Sequence, residues 1–170
     1  LFRLPGSLER FASLDALRAL CGRLGLAAEV TFHGFLQDLP ALLEACDVFA
    51  LSSYVEGLPN TLLEALAQGL VPVARSVGGV GECWPQALPD LLAPFAGSER
   101  YTDWSAVPVA ELPERIPLYA PLRKVLSATP EEVLAWKRAA WEHCEREFSL
   151  RAQSVKLEAF FQERITEGRT

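Results

Sequence analysis

Apolar positions recur along this chain with two different rhythms. From Leu8 to Leu24 they fall every third or fourth residue, at Leu8, Phe11, Leu14, Leu17, Leu20 and Leu24. That spacing predicts an amphipathic helix, with Gly25 as its stop. Elsewhere the apolar residues gather in short stretches, Leu1 to Leu4, Glu29 to His33, Val48 to Leu51, Leu70 to Ala74 and Asp90 to Ala93, of which Val48 to Leu51 and Leu70 to Ala74 hold no polar residue. Continuous runs of this length read as strands covered on both faces. Between them lie helical stretches, a short one from Leu39 to Cys46 with Pro40 near its start, and another after Pro59 that Gly69 closes. Alternating strand and helix predicts a doubly wound α/β sheet of parallel strands. In such sheets ligands bind beyond the carboxyl ends of the strands, here the turns after Leu4, His33, Leu51 and Ala74.

The rhythm breaks at Ala96. Pro108, Pro113, Pro117 and Pro121 mark residues 96–121 as an irregular excursion. Thr129-Pro-Glu-Glu then opens a helix running to about Glu147, with a capping hydroxyl, a proline first and acids in the first turn. Ser149 starts a last helix, on which Val155, Leu157, Phe160, Phe161 and Ile165 supply an apolar side. The expected organisation is a core over residues 1–95, the excursion, and C-terminal helices of the same domain over residues 122–170.

Composition narrows the function. The 170 residues suit one domain with a sizeable core. The formal net charge is -6 and no run of basic residues interrupts it, which argues against a nucleic-acid partner. No apolar run approaches bilayer length and Leu1 to Arg10 lacks the order of a signal peptide, so a cytoplasmic setting is expected. Cys21, Cys46, Cys83 and Cys144 are widely spaced, in no zinc-ligand pattern, and read as reduced, small buried thiols. His143, among Glu142, Glu145 and Arg146, reads as a solvated helix residue, and Trp104, Trp136 and Trp141 as packing. The chain has no methionine and opens on Leu1-Phe-Arg-Leu in mid-strand, which predicts a segment of a longer protein.

The candidate chemistry lies between Asp47 and Glu64. A strand, Val48 to Leu51, runs into a polar turn that carries Glu56 and Gly57, and a helix follows in which Pro59 suits the first position. The turn therefore ends on a helix N-terminus, whose open N–H groups and dipole favour an anion. A second carboxylate, Glu64, follows Glu56 by eight positions. The plainer alternatives are a dipole partner for Glu56 and a solvated stripe of Thr61, Glu64 and Gln68. Gly78, Gly79 and Gly81 read alone as a turn, as does Gly6.

More than the carboxylate pair matches one pattern. Val30-Thr-Phe-His-Gly34, the acidic Asp47 opening a strand that leads through small residues to Glu56-Gly57, Glu64-Ala-Leu-Ala-Gln-Gly-Leu-Val-Pro-Val73 and Gly78-Gly-Val-Gly-Glu82 stand in order. Together they resemble the family-4 type (group 1) glycosyltransferases of the GT-B fold, with their E-x7-E motif, over most of Leu1 to Pro94. One extra residue precedes Pro72, and the glycine-rich phosphate loop is reduced to Pro5-Gly-Ser.

The resemblance implies a Rossmann-like, C-terminal half of a GT-B fold that binds a nucleotide-diphosphate sugar. It implies that Glu64 holds the ribose hydroxyls and that Glu56, the catalytic candidate, sits near the donor sugar. Backbone groups of Gly57, Leu58, Pro59 and Asn60 would lie against sugar and phosphate, and the loop holding Gly34 and Leu36 would border the base. Gly6, Gly78 and Gly79 complete the implied donor site. A carboxylate suits a ribose diol, and helix N-termini stabilise charge growing on a departing diphosphate. The reaction implied is sugar transfer with retention of configuration, with no metal site and no cofactor beyond the donor. The acceptor would be a glycan, a lipid-linked or a small molecule, with peripheral attachment to a membrane through it. An upstream acceptor domain and a basic Arg and Lys pair are expected ahead of Leu1. The rival readings are a catalytically silent nucleotide-sugar binding or interaction module, a glycosidase using two carboxylates, and a nucleotide-sugar epimerase.

Overall fold

Three short parallel strands, with helices packed on both faces, carry the architecture. The computed structural model describes residues 14–34, 36–95 and 107–167. The strand expected at Leu1 to Leu4, the start of the first helix, Gly6 and Trp104 lie outside the described residues.

The chain enters through α1 (Leu14–Arg23) and α2 (Leu39–Glu44). Gly25 ends α1 in the left-handed region at φ 69°, where it donates to Gly22 O while Leu26 N–H reaches back to Cys21 O. This double bond pattern satisfies carbonyls that the last helical turn leaves open. Over the described residues the stripe read on α1 is not a core face, since no residue of Leu14–Arg23 is buried. Nor does 29–33 form a strand. Glu29 and Val30 N–H groups turn back to the Leu26 carbonyl instead, and no described strand pairs with the segment. An apolar run becomes a strand only where a neighbour accepts its ladder.

β1 (Val48–Leu51) leads to α3 (Asn60–Ala67), and α3 to β2 (Val71–Arg75). After β2 come the short α4 (Val80–Cys83), a single 3₁₀ turn over Pro89–Leu91, and β3 (Leu92–Ala93). The strand expected over Asp90 to Ala93 is thus half its length, with Pro89 diverting its first part into the 3₁₀ turn. The sheet order is β1-β2-β3, all parallel, with Val48 opposite Val71, Leu51 opposite Ala74, and Arg75 opposite Ala93. Every β2 residue is buried, so both faces of the sheet are covered at its central strand, while Ala50 of the edge strand β1 is exposed.

A proline inside that central strand needs an account. Val71 N–H donates to Asp47 O on the β1 side, and Ser76 N–H to Ala93 O on the β3 side. Alternate residues of a parallel strand address alternate neighbours. The donor that Pro72 lacks therefore points toward β3, whose ladder begins only at Ala74 and Leu92. No ladder bond is lost.

α5 (Leu112–Arg115) and α6 (Tyr119–Leu126) follow, then α7 (Pro130–Phe148) and α8 (Leu150–Glu167). α6 begins inside the stretch read as irregular. Pro121 is its third residue, a position whose N–H has no intrahelical partner in any helix. α7 starts as expected, with Thr129 accepting from Glu132 N–H and the Glu132 carboxylate accepting from Thr129 N–H. The core joins Leu62 and Leu66 of α3, Val71, Val73 and Ala74 of β2, Val125 of α6, and Ala140 and Cys144 of α7. Each fully buried leucine here stabilises the fold by about 1.5–3 kcal/mol. Cys83 and Cys144 are buried free thiols, raised by burial above the usual thiol range, while Cys21 and Cys46 are half-buried.

His143 is not solvated. It is 7% exposed, and its Nε2 donates to the Cys83 carbonyl at 3.0 Å. Trp136 packs against the core as expected, whereas Trp141 is 48% exposed. A buried tryptophan, Trp84, donates its indole N–H to Leu88 O at 2.8 Å.

Candidate nucleotide-sugar site

The carboxyl ends of the three strands point the same way, and the residues after each of them meet there. After β1 the chain runs through 52–59, carrying Tyr54 and a half-buried Glu56. Pro59 is buried and stands one residue before α3, as its N-cap rather than its first residue. Its carbonyl accepts from Leu62 and Leu63 N–H at 3.0 and 3.2 Å. No side chain caps α3, so the N–H groups of Asn60 and Thr61, next in the chain after Gly57 and Leu58, are left without a capping partner. Open N–H groups at a helix start attract an anion, a general tendency that does not by itself make a site.

The second turn is what gives this edge its shape. Gly78, at φ 49°, lies so close to Glu56 that a Cβ would overlap the Glu56 carbonyl oxygen. A Cβ on Gly79 would stand 2.5 Å from Gly57 O, and Gly79 N–H donates to that same oxygen at 3.0 Å. The two turns thus sit backbone on backbone, and only glycine permits the approach at residues 78 and 79. Gly81, in contrast, meets nothing nearer than Ser76 Oγ at 4.0 Å.

Glu64 lies on α3, one helical turn beyond Asn60, with its side chain exposed. The helix is held from behind by Leu62, Ala65 and Leu66, all buried, and ends at Gly69. Gly69 N–H donates to Leu66 O and Leu70 N–H to Ala65 O, the pattern that closes α1 as well. Gly57, Leu58 and Asn60 are exposed between the two carboxylates. The structure therefore brings Glu56, Gly57, Gly78 and Gly79 together, with Leu58 and Pro59 leading into α3, which carries Asn60 and Glu64. Gly34 takes a left-handed conformation at φ 68° and Leu36 is half-buried ahead of α2. Among the described residues a Cβ on Gly34 would meet nothing within 4 Å, unlike one on Gly78 or Gly79. His33 is exposed.

Three residues at this edge escaped the sequence reading. Arg75 ends β2 only 4% exposed, with its guanidinium carbon 4.4 Å from the centre of the Tyr54 ring. Phe95, two residues past β3, meets the same ring edge-on at 6.1 Å. The signal was an arginine directly after an apolar run, where a strand ends at the ligand edge.

Asp47, just before β1, is held below the usual carboxylate range by a hydrogen bond from Lys137 of α7 at 2.6 Å, reinforced by the lysine's charge. No group of three or more His, Cys, Asp or Glu side chains is gathered among the described residues as a metal would need. No helix among them is long and apolar enough to cross a membrane. An open groove at the α7–α8 junction, lined by Arg146, Arg151 and Lys156, shares no residue with the turns. Glu147 already binds two of its cations, at 2.9 Å from both Arg146 and Lys156.

A parallel, open, three-stranded α/β sheet flanked by helices is the arrangement of a Rossmann-like half of a GT-B fold. The chain matches the family described as Glycosyl transferases group 1 over residues 5–101, and it belongs to that family. It is similar to the Vi polysaccharide biosynthesis protein VipC/TviE of Salmonella typhi, 37% identical over 62 residues, which are 36% of this chain and 11% of that one. It is similar to the lipopolysaccharide core biosynthesis glycosyltransferase LpsE of Rhizobium meliloti, 43% identical over 65 residues, 38% of this chain and 19% of the relative. A D-inositol 3-phosphate glycosyltransferase of Mycobacterium tuberculosis is 40% identical over 74 residues, 41% of this chain and 15% of the relative. The matched stretches thus span less than a fifth of these relatives' own lengths.

Proposed function

We propose that this chain is the donor-binding half of a glycosyltransferase that moves a sugar from a nucleotide diphosphate to an acceptor with retention of configuration. The observation that carries the reading is the backbone contact of Gly78 and Gly79 with Glu56 and Gly57, beside the uncapped start of α3. The braced turn, in this reading, presents N–H groups and one carboxylate toward the donor. In this reading Glu64 accepts from both ribose hydroxyls, a bidentate task suited to a carboxylate. The N–H groups of Asn60 and Thr61, with the helix dipole behind them, stabilise charge that grows on the diphosphate as the sugar leaves. Glu56 faces the donor sugar and supports the positive charge that develops at its anomeric carbon. Gly34 and Leu36 border the base.

The chemistry assigned to these residues uses no metal and no cofactor other than the donor. The acceptor is a glycan, a lipid-linked or a small molecule, bound by an upstream half of the full protein, which works in the cytoplasm.

Calorimetric titration with uridine, guanosine and adenosine diphosphates and their glucose, mannose and galactose derivatives tests the reading. A nucleotide that binds the parent chain and fails with Glu64→Ala, while that variant still unfolds cooperatively, supports it. A full-length protein that binds none of the panel overturns it.

A further inference from the structure

We infer that Arg75 is a positioning residue that holds the Glu56 turn in its binding conformation by clamping Tyr54 against the strand ends. The inference rests on the donor-site reading and adds to it the support that fixes the turn.

Each of the three strand ends contributes one member. Tyr54 lies in the segment after β1, two residues before Glu56; Arg75 is the last residue of β2; Phe95 follows β3. Arg75 lies opposite Ala93 in the ladder, and Ser76 N–H donates to Ala93 O at 2.8 Å, so its backbone is held against β3 at the sheet edge. The guanidinium then projects to 4.4 Å from the centre of the Tyr54 ring, at cation–π range, with Phe95 packed edge-on to that ring at an interplanar angle of 62°. Arginine in a strand that is otherwise Val, Pro, Val and Ala is an expensive choice for packing alone. A buried charge disfavours folding unless its surroundings compensate it.

The position of the clamp explains what that cost achieves. Gly78 and Gly79 brace the Glu56-Gly57 backbone from one side. Two residues upstream, Tyr54 is gripped between the charged end of β2 and Phe95. The chain from 54 to 57 is therefore tethered at both ends, and Glu56 is left with little freedom in direction. A planar guanidinium also stacks on a ring in a way that a lysine ammonium does not.

The test compares Arg75→Leu, Arg75→Lys, Tyr54→Leu and Tyr54→Phe in the full chain by amide hydrogen exchange and by titration with uridine diphosphate glucose and guanosine diphosphate mannose. Arg75→Leu and Tyr54→Leu are expected to speed exchange over residues 52–58, leave β2 and α3 protected, and weaken donor binding about tenfold, the effect of losing one modest contact. Tyr54→Phe keeps the ring and is expected to stay closer to the parent than Tyr54→Leu in both readouts. Arg75→Lys should be intermediate. Exchange unchanged over 52–58 in both leucine variants overturns the clamp, and so does faster exchange throughout the core, which would make Arg75 a general packing residue. Tyr54 is half-buried, so its variants decide the matter where Arg75→Leu does not fold. If the parent chain binds neither donor, the exchange pattern still decides whether the turn is clamped, and the wider nucleotide panel with the full-length protein decides the donor-site reading.

Discussion

The imidazole Nε2 of His143 lies 3.0 Å from the carbonyl oxygen of Cys83, which ties α7 to the short helix that follows the Gly78-Gly79 turn. The bond needs a proton on Nε2 and leaves Nδ1 to face Arg146 Nη2 at 3.4 Å. A neutral ring meets both demands. Burial, chiefly, and then the Arg146 charge hold this histidine below its usual range, against the opposing pull of the Cys83 carbonyl and Glu147.

The sign of the pH effect follows. With a depressed pKa in the fold, the unfolded chain takes up the proton first, so stability is complete above the ordinary histidine value and falls as pH drops below about 6.5. Glu147, lowered to about 2 by Lys156 and Arg146, and Glu132, lowered by its bonds with Thr129, lose their contributions in a separate window that opens below the usual glutamate value. Thermal melts from pH 8 to pH 3 should therefore show two declines. His143→Gln keeps a donor for Cys83 O and no titration, and it should erase the first decline only. A melt profile in which it erases neither sinks the assignment.

Glycines 78, 79 and 81 should respond differently to alanine, although all three stand within one short stretch. Gly78→Ala places a Cβ in the left-handed region, at a cost of about 1–2 kcal/mol, and drives it into the Glu56 carbonyl. Gly79→Ala keeps an ordinary φ of -76° yet crowds Gly57 O at 2.5 Å. Both should displace the turn and lower nucleotide-sugar affinity more than they lower stability. Gly81→Ala sits in a helix with open space, and is expected to be neutral or stabilising by about 0.5–1 kcal/mol. Urea melts paired with titration check all three.

Thr129→Ala should lower stability by about 1 kcal/mol through loss of the capping box, with donor affinity unchanged. α7 contacts α3 through its middle, at Ala140 and Cys144, whose Sγ lies 3.7 Å from Leu63 O. A frayed first turn does not reach that contact. Equal losses in affinity and stability would show that the cap acts on the site.

The parts of the fold that were legible are those with local causes. The Thr129 cap, the Gly25 and Gly69 stops and the β1-α3-β2 order each depend on residues within a few positions. His143 misled because its sequence neighbours are charged. Read at helical spacing it stands three residues from Ala140 and seven from Trp136, on the buried stripe of α7. α6 was hidden by Pro117 and Pro121, which are breakers in most contexts and harmless ahead of a helix and in its first turn. The segment 29–33 failed as a strand because pairing is a tertiary fact. Among the candidate site residues, Glu56, Gly57, Gly78 and Gly79 stand out through their resemblance to a family pattern, but the reason for the glycines was not legible. It is a backbone contact between residues more than twenty positions apart. Arg75, Tyr54 and Phe95 come from three strand ends, and no local pattern links them.

The two carboxylates should separate by what each recognises. Glu64 is an exposed residue of α3, where alanine is a good helix former, so Glu64→Ala should fold normally. Losing charge-assisted hydrogen bonds to the ribose should weaken binding by about 1.5–3 kcal/mol, for a nucleoside diphosphate and for its sugar derivative alike. Glu56 is half-buried in the braced turn and faces the sugar in the proposed arrangement. Glu56→Gln should leave the affinity for the bare diphosphate unchanged and remove the increment that the sugar adds. Parallel titrations of both variants with uridine diphosphate and uridine diphosphate glucose read this directly. If Glu56→Gln weakens both ligands equally, the carboxylate serves the phosphate end of the site, and the catalytic role passes from it.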